Sequence, residues 1–263
     1  MAASYPVNEA NFAQEVLGAS EAMPVIVDFF ATWCGPCQVL KPILERLAQE
    51  YGVMLATVDI DQNPQLASQY GVEGVPDVRI AHEGRLNPGF VGAWPEVKIR
   101  ELLGQYGLKS SLELQLEKAQ GAIASGNFPA AKQIFDQLFQ QFPNHPAVTL
   151  EAVHLLICLD QIEDAQQLLD TIDPKNAEAF NCAQGYKTLI EISQAAPPDG
   201  PLAKVLSLTL QGQEETALQE LLTLVAATKN PQARQAMVSI FALLGQQHPL
   251  TRQYQQELML ALY

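Results

Sequence analysis

The chain has 263 residues, enough for two domains with separate cores. Its 48% hydrophobic and 17% charged residues exclude an intrinsically disordered protein, and no apolar run approaches the ~18 residues of a membrane span. The net charge of −14 divides evenly about Leu108, leaving no basic stripe to neutralise phosphates and arguing against nucleic acid.

Asn8 to Leu17 reads as an amphipathic helix with Phe12, Val16 and Leu17 facing in. The same region has no basic stretch followed by an apolar one, so no signal peptide is expected. Val25-Ile26-Val27-Asp28-Phe29-Phe30, rich in β-branched and aromatic residues, predicts a buried strand. Val39, Leu40, Ile43, Leu44 and Leu47 then recur at helical spacing as far as Tyr51. Met54 to Ile60 reads as a strand and Pro64 to Tyr70 as a short helix. Val78 to Ala81 and Phe90-Val91 follow as strands around a turn at Glu83-Gly84-Arg85, and Pro95 to Tyr106 as a helix.

Trp33-Cys34-Gly35-Pro36-Cys37 falls at the first strand-to-helix junction. There Cys34 is placed to cap the helix, whose free N–H groups and partial positive charge favour thiolate over thiol. Cys37, one turn in, is positioned to close a disulfide back onto it, and Pro36 suits a first helical turn. The competing reading is half a zinc site, but zinc normally needs a second Cys/His pair. Cys158 and Cys182 lie far along the chain in helical segments, so no metal is expected. Cys158, within Leu155-Leu156-Ile157-Cys158-Leu159, reads as buried and inert, and Cys182 as the more accessible of the two. The four histidines are scattered and read as surface or core residues. Such cysteine usage is not a secreted disulfide framework and points to a reducing cytoplasm. Asp28 is either a strand-end carboxylate reaching water or a buried one with a raised pKa.

Beyond Gly107 alanine, leucine and glutamine dominate and no strand pattern appears. Leu112 to Asn144 resembles a tetratricopeptide repeat, with Ala119, Gly126, Phe128, Ala131, Phe135 and Pro143 at its consensus places. Ala165 follows Ala131 by 34 residues, the period of that repeat, and Gly212 and Ala217 repeat the five-residue step of Gly126 and Ala131. Pro197-Pro198-Asp199-Gly200-Pro201 interrupts the array. The alternative is an irregular helical bundle.

The first part, from about Val7 to Gly107, resembles thioredoxin. The resemblance rests on Trp33-Cys34-Gly35-Pro36-Cys37, Asp28, Asp61-Gln62-Asn63-Pro64, Gly74-Val75-Pro76 and Gly92. It implies an α/β thioredoxin fold, a central mixed sheet flanked by helices in the order β-α-β-α-β-β-α. It also implies Cys34 as attacking nucleophile, Cys37 as resolving thiol and Asp28 as the group assisting Cys37 deprotonation. Pro76 is expected to be cis and to face the cysteine pair, with Val75 offering backbone hydrogen bonds to an extended substrate. The implied substrate surface comprises Trp33, Gly35, Pro36, Val75, Pro76 and Gly92, and no cofactor is implied. Two departures stand out: Thr57 where many thioredoxins have lysine, and Asp77-Val78-Arg79 where threonine and aliphatics are usual. Strand periodicity puts Asp77 and Arg79 on one face, in position to pair.

The combination of the two parts resembles the YbbN/CnoX family of chaperone-linked thioredoxins. That implies a thioredoxin domain over residues 1–108 and an all-α tetratricopeptide-like domain over 109–263. The implied function is disulfide reduction combined with a holdase role. Unfolded or oxidised client proteins, thioredoxin reductase as electron donor, and a chaperonin or Hsp70-type chaperone are the implied partners. The alternative is a redox-independent holdase or adaptor whose first domain is mainly scaffold. At the C-terminus, Tyr254, Leu258 and Leu262 form an apolar stripe that Met259 and Tyr263 widen and Leu260 leaves. It is either the buried face of a closing helix or a chaperone-docking surface of Leu258, Leu262 and Tyr263.

Overall fold

A computed structural model describes residues 4–197 and 199–262. The chain divides into two compact units, the first ending at Leu114 and the second beginning at Gln115.

In the first unit, five strands are ordered β1-β3-β2-β4-β5: β1 (Ser4–Pro6), β2 (Val25–Phe30), β3 (Met54–Asp59), β4 (Asp77–His82) and β5 (Arg85–Val91). β3 runs parallel to both β1 and β2, whereas β2–β4 and β4–β5 are antiparallel. Helices α1 (Gly35–Tyr51), α2 (Pro64–Gln69) and α3 (Glu96–Gln105) complete the fold. The continuous apolar character of β2 has a direct cause: the strand is central and covered on both faces. Ile26 packs with Leu40, Leu44, Leu47, Ile80 and Leu103 on the side of α1 and α3. Val25, Val27 and Phe29 face Phe12, Val16, Val58 and Leu66 on the other. Between β4 and β5 the register slips at Val78/Arg79. Gly89 lies at this bulge because a Cβ there would come within 2.4 Å of the Val78 carbonyl oxygen.

Two features differ from expectation. The strand β1 has no counterpart in the sequence reading. Over the segment expected as an amphipathic helix, the assigned elements are a π-type stretch, Ala13–Gly18, and a 3₁₀ turn, Ala19–Glu21. The first turn forms from Asn8 nonetheless: the Phe12 N–H donates to the Asn8 carbonyl at 3.0 Å, Asn8 Oδ1 caps the turn by accepting from the Ala10 N–H at 2.9 Å, and Asn11 Oδ1 accepts from the Asn8 N–H at 2.8 Å. Phe12 and Val16 are buried as expected, and Leu17 is half-buried.

α4 (Ser111–Ala124) opens on a capping box, in which Ser110 Oγ accepts from Glu113 N at 3.2 Å and Glu113 Oε2 from Ser110 N at 2.6 Å. The helices that follow are α5 (Phe128–Gln141), α6 (Pro146–Cys158), α7 (Ile162–Leu169), α8 (Ala177–Ala195), α9 (Pro201–Leu210), α10 (Glu214–Thr228), α11 (Pro231–Leu244) and α12 (Pro249–Leu262). Three helix pairs share one turn. Gly126, Asp160 and Gly212 have positive φ (72°, 59° and 71°), and five residues after each comes a fully buried alanine, Ala131, Ala165 and Ala217. The left-handed residue reverses the chain, and the small side chain lets the paired helices close. Aspartate, which tolerates this conformation, takes the glycine place once. This is the repeat geometry anticipated from the spacing, with α8 as an additional long helix ahead of the proline-rich break. At Gly185, α8 approaches α11 so closely that a Cβ would sit 3.0 Å from the Ser239 carbonyl oxygen.

Candidate functional site

The redox centre is assembled where β2 gives way to α1. Cys34 is the N-cap residue of α1, its φ and ψ extended, and its Sγ accepts a hydrogen bond from the Cys37 backbone N–H at 3.2 Å. Cys34 and Cys37 form a disulfide with their Cα atoms 5.3 Å apart. Both are buried among Phe30, Ala31, Ile60 and Val75. Pro36 stands in the first turn of the helix, where its missing N–H leaves no gap. The Val75–Pro76 bond is cis, and the Pro76 carbonyl accepts from the Gly92 N–H at 2.8 Å. Gly92 has φ 83°, a conformation that suits glycine in particular.

Trp33 is 68% exposed, and its indole Nε1 donates to Asp61 Oδ2 at 2.8 Å. Asp61 is itself placed by a turn in which Asp59 Oδ1 accepts its backbone N–H at 3.0 Å. The sequence reading used Asp61 only as part of a matched block. Its role as the partner that orients an exposed indole becomes legible only from the geometry.

Asp28 resolves to the buried alternative. It is 2% exposed, and its Oδ1 has no hydrogen-bond partner among the described residues. Burial pushes its carboxyl up to about 7, with the Lys41 charge pulling it down and the Asp77 charge pushing it up. Its neighbour across the β2–β3 pairing is Thr57, a neutral side chain. Lys41, one helical turn beyond Cys37, was not singled out from the sequence; its i, i+4 relation to Cys37 was the available signal. Asp77 and Arg79 pair as the strand periodicity suggested. Arg79 Nε and Nη2 donate to the two Asp77 oxygens at 3.0 and 2.8 Å, with both side chains largely buried.

The remaining cysteines reverse the expectation. Cys158 is the last residue of α6 and is exposed, whereas Cys182 is half-buried and its Sγ donates to the Ala242 carbonyl at 3.2 Å. Burial pushes both thiols up, so neither is an activated nucleophile. At the C-terminus, Leu258 is 7% exposed and belongs to the core of the second unit with Tyr254. The stripe through these two residues is therefore the buried face of α12, which corrects the assignment of Leu258 to a docking surface. The outward apolar residues are Met259 and Leu260, 63% and 80% exposed, with Leu262 intermediate at 37%; Tyr263 lies outside the described residues. Among the described residues no group of three or more His, Cys, Asp or Glu side chains could hold a metal, and no helix is long and apolar enough to cross a membrane.

A dithiol capping a helix opposite a cis-proline loop, on this mixed sheet, defines a thioredoxin-type disulfide oxidoreductase. The thioredoxin family model matches residues 3–105, and tetratricopeptide repeat models match 122–189 and 204–263. Thioredoxin 1 of Synechococcus elongatus is 39% identical over 108 residues, covering 40% of this chain and 99% of that protein. The thioredoxin of Rhodospirillum rubrum is 43% identical over 97 residues, covering 36% of this chain and 91% of its own length. The thioredoxin of Synechocystis sp. is 36% identical over 108 residues, covering 40% and 99%. The chain belongs to the thioredoxin family and carries tetratricopeptide repeats after its redox domain.

The elevated Asp28 pKa has a consequence for stability. The folded protein prefers the neutral carboxyl, so stability is lost as pH rises from the ordinary aspartate range through about 7, and the full cost is present above that. Asp28→Asn should therefore stabilise the protein by a few kcal/mol more at pH 8 than at pH 4, as read by denaturant unfolding. In Thr57→Lys, a cation across the strand pairing should bring Asp28 down by about 1 unit or more, which NMR titration of its carboxyl would register.

Proposed function

We propose that the protein reduces disulfides in client proteins through Cys34 and Cys37 and holds those clients on its helical half. The helix-capped disulfide is the observation that carries the redox reading. In the reduced enzyme the Cys34 thiolate attacks one sulfur of a client disulfide; a mixed disulfide forms and the other client sulfur leaves as thiolate. Cys37 then loses its proton, with Asp28 as the acceptor, and attacks Cys34 Sγ. This releases the second client thiolate and leaves the Cys34–Cys37 disulfide. A buried acceptor with its pKa near 7 suits proton transfer at neutral pH. Trp33, Gly35, Pro36, Val75, Pro76 and Gly92 form the surface along which an extended client strand adds. Regeneration requires an external dithiol donor of the thioredoxin reductase type, in a reducing compartment such as the cytoplasm.

The joining of these domains supports membership of the YbbN/CnoX family, with transfer of clients to a chaperonin or Hsp70-type chaperone. Met259, Leu260 and Leu262 supply the apolar contact for that transfer. The exposed apolar side chains of α12 also favour a second reading, a holdase independent of the dithiol.

The two readings separate cleanly. Cys34→Ser should abolish insulin reduction, and Cys37→Ser should accumulate mixed disulfides with clients through Cys34; if it traps none and the wild type does not reduce insulin, the redox reading fails. Aggregation suppression undiminished in a Cys34→Ser/Cys37→Ser double variant would establish the dithiol-independent holdase. For the docking surface, Met259→Ser/Leu260→Ser should abolish co-purification with the chaperonin while changing stability by about 0.5 kcal/mol or less. Leu258→Ala, by contrast, should cost about 2–5 kcal/mol because it leaves a cavity.

A further inference from the structure

A cleft of about 1140 Å³ lies in the second unit between α8, α11 and α12. Its floor is the crossing of α8 and α11, where a Cβ on Gly185 would meet the Ser239 carbonyl oxygen at 3.0 Å. The lining residues of α8 recur at helical steps from Glu178 to Thr188, and those of α11 and its C-cap from Arg234 to Gly245. The span from Glu178 to Thr188 is about 15 Å of helix, the length of about four or five residues of extended chain.

The lining is rich in carboxamides: Asn181, Gln184, Gln235, Gln246, Gln247 and Gln255. Gln255 donates to Gln246 at 3.3 Å, and Arg252 donates to Gln247. The Asn181, Gln184 and Gln235 side chains are exposed and make no hydrogen bond among the described residues. Each therefore offers two N–H donors and a carbonyl acceptor to an occupant. The charged residues of the lining are Glu178 and Arg234, opposite in sign, so a chain of net charge −14 is locally neutral here. Exposed Val238 and Met259 add apolar surface to the same cleft.

These properties select one class of occupant. An open trough of exposed side chains does not enclose a compact small molecule, whose binding sites bury roughly 70–90% of its surface. A nucleic acid, or a strongly acidic or basic peptide, meets no net countercharge. A folded protein has already paired most of its main-chain N–H and C=O groups, whereas an unfolded segment leaves both kinds free in alternation. Carboxamides carry the same donor and acceptor and complement that alternation whatever the side-chain sequence. We infer that this cleft is the seat of the holdase activity, binding an uncharged, extended stretch of unfolded polypeptide. Asn181, Gln184 and Gln235 pair with its main chain, and Val238 and Met259 receive its apolar side chains. The assignment rests on the reading that clients are held on the helical half.

The test is calorimetric titration of the full-length disulfide form with an acetylated, amidated eight-residue peptide of alternating serine and leucine. Asn181→Leu/Gln184→Met keeps the bulk of both side chains and removes their polar atoms; it should weaken binding about tenfold or more. A cleft working by apolar contact alone would bind more tightly in that variant, so the sign of the change decides. Methylating alternate main-chain nitrogens of the peptide should weaken its binding to the wild type by a similar factor. Gln235→Glu, a single change on the facing helix, should act in the same direction if the double variant does not fold. Unchanged affinity in these comparisons, tighter binding of a helix-stapled peptide of the same composition, or no binding by the wild type overturns the inference. Suppression of heat-denatured luciferase aggregation should be lost together with peptide binding. If suppression survives that loss, the holdase reading stands and its seat is elsewhere; if the wild type suppresses nothing, the holdase reading fails and the assignment with it.

Discussion

The redox centre depends on a helix whose cap is a sulfur atom. Cys34 Sγ takes the hydrogen bond that a serine or aspartate oxygen takes at most helix N-termini. The N–H groups and the dipole of α1 are thereby aimed at a sulfur atom, where they favour negative charge. The strand before it places this cap, because β2 is central in the sheet and covered on both faces, so its end is fixed by both cores. The helix then brings Cys37 back within disulfide distance.

Around this cap the protein deals with buried charge in two ways. Asp77 remains a partner in a bidentate pair, in which the arginine and the carboxylate offset each other's desolvation. Asp28 Oδ1 has no hydrogen-bond partner among the described residues, and the physical response to burial is a shift toward the neutral acid. The first arrangement is structural, a bidentate pair held between neighbouring positions of β4. The second leaves a proton that moves near neutrality.

Much of this was legible in the sequence because the signals were periodic or chemically specific. The limits of β2 match the run Val25–Phe30, and the places of Cys34, the Asp77–Arg79 pair and the recurring turn-plus-alanine step follow from spacing. What escaped lacked such a signal. β1 has three residues, too few for an alternation, and is held through its pairing with β3. The field of Lys41 on Asp28 depends on how a helix lies across a sheet. Cys158 sits in an apolar run, yet its exposure is set by its place as the last residue of α6. In α12 the periodicity identified a real stripe through Tyr254 and Leu258, but periodicity alone does not say which face meets the array.

The outer strands of the sheet bear on how the protein behaves among other chains. One margin is closed by the three residues of β1, too short to template a neighbour. The other, β5, is divided by Pro88, which has no N–H to give, and by the bulge at Gly89. Among the described residues, neither margin presents a long row of free backbone donors and acceptors. A thioredoxin-type domain with such margins is poorly suited to becoming the seed of a β-aggregate with a neighbouring chain.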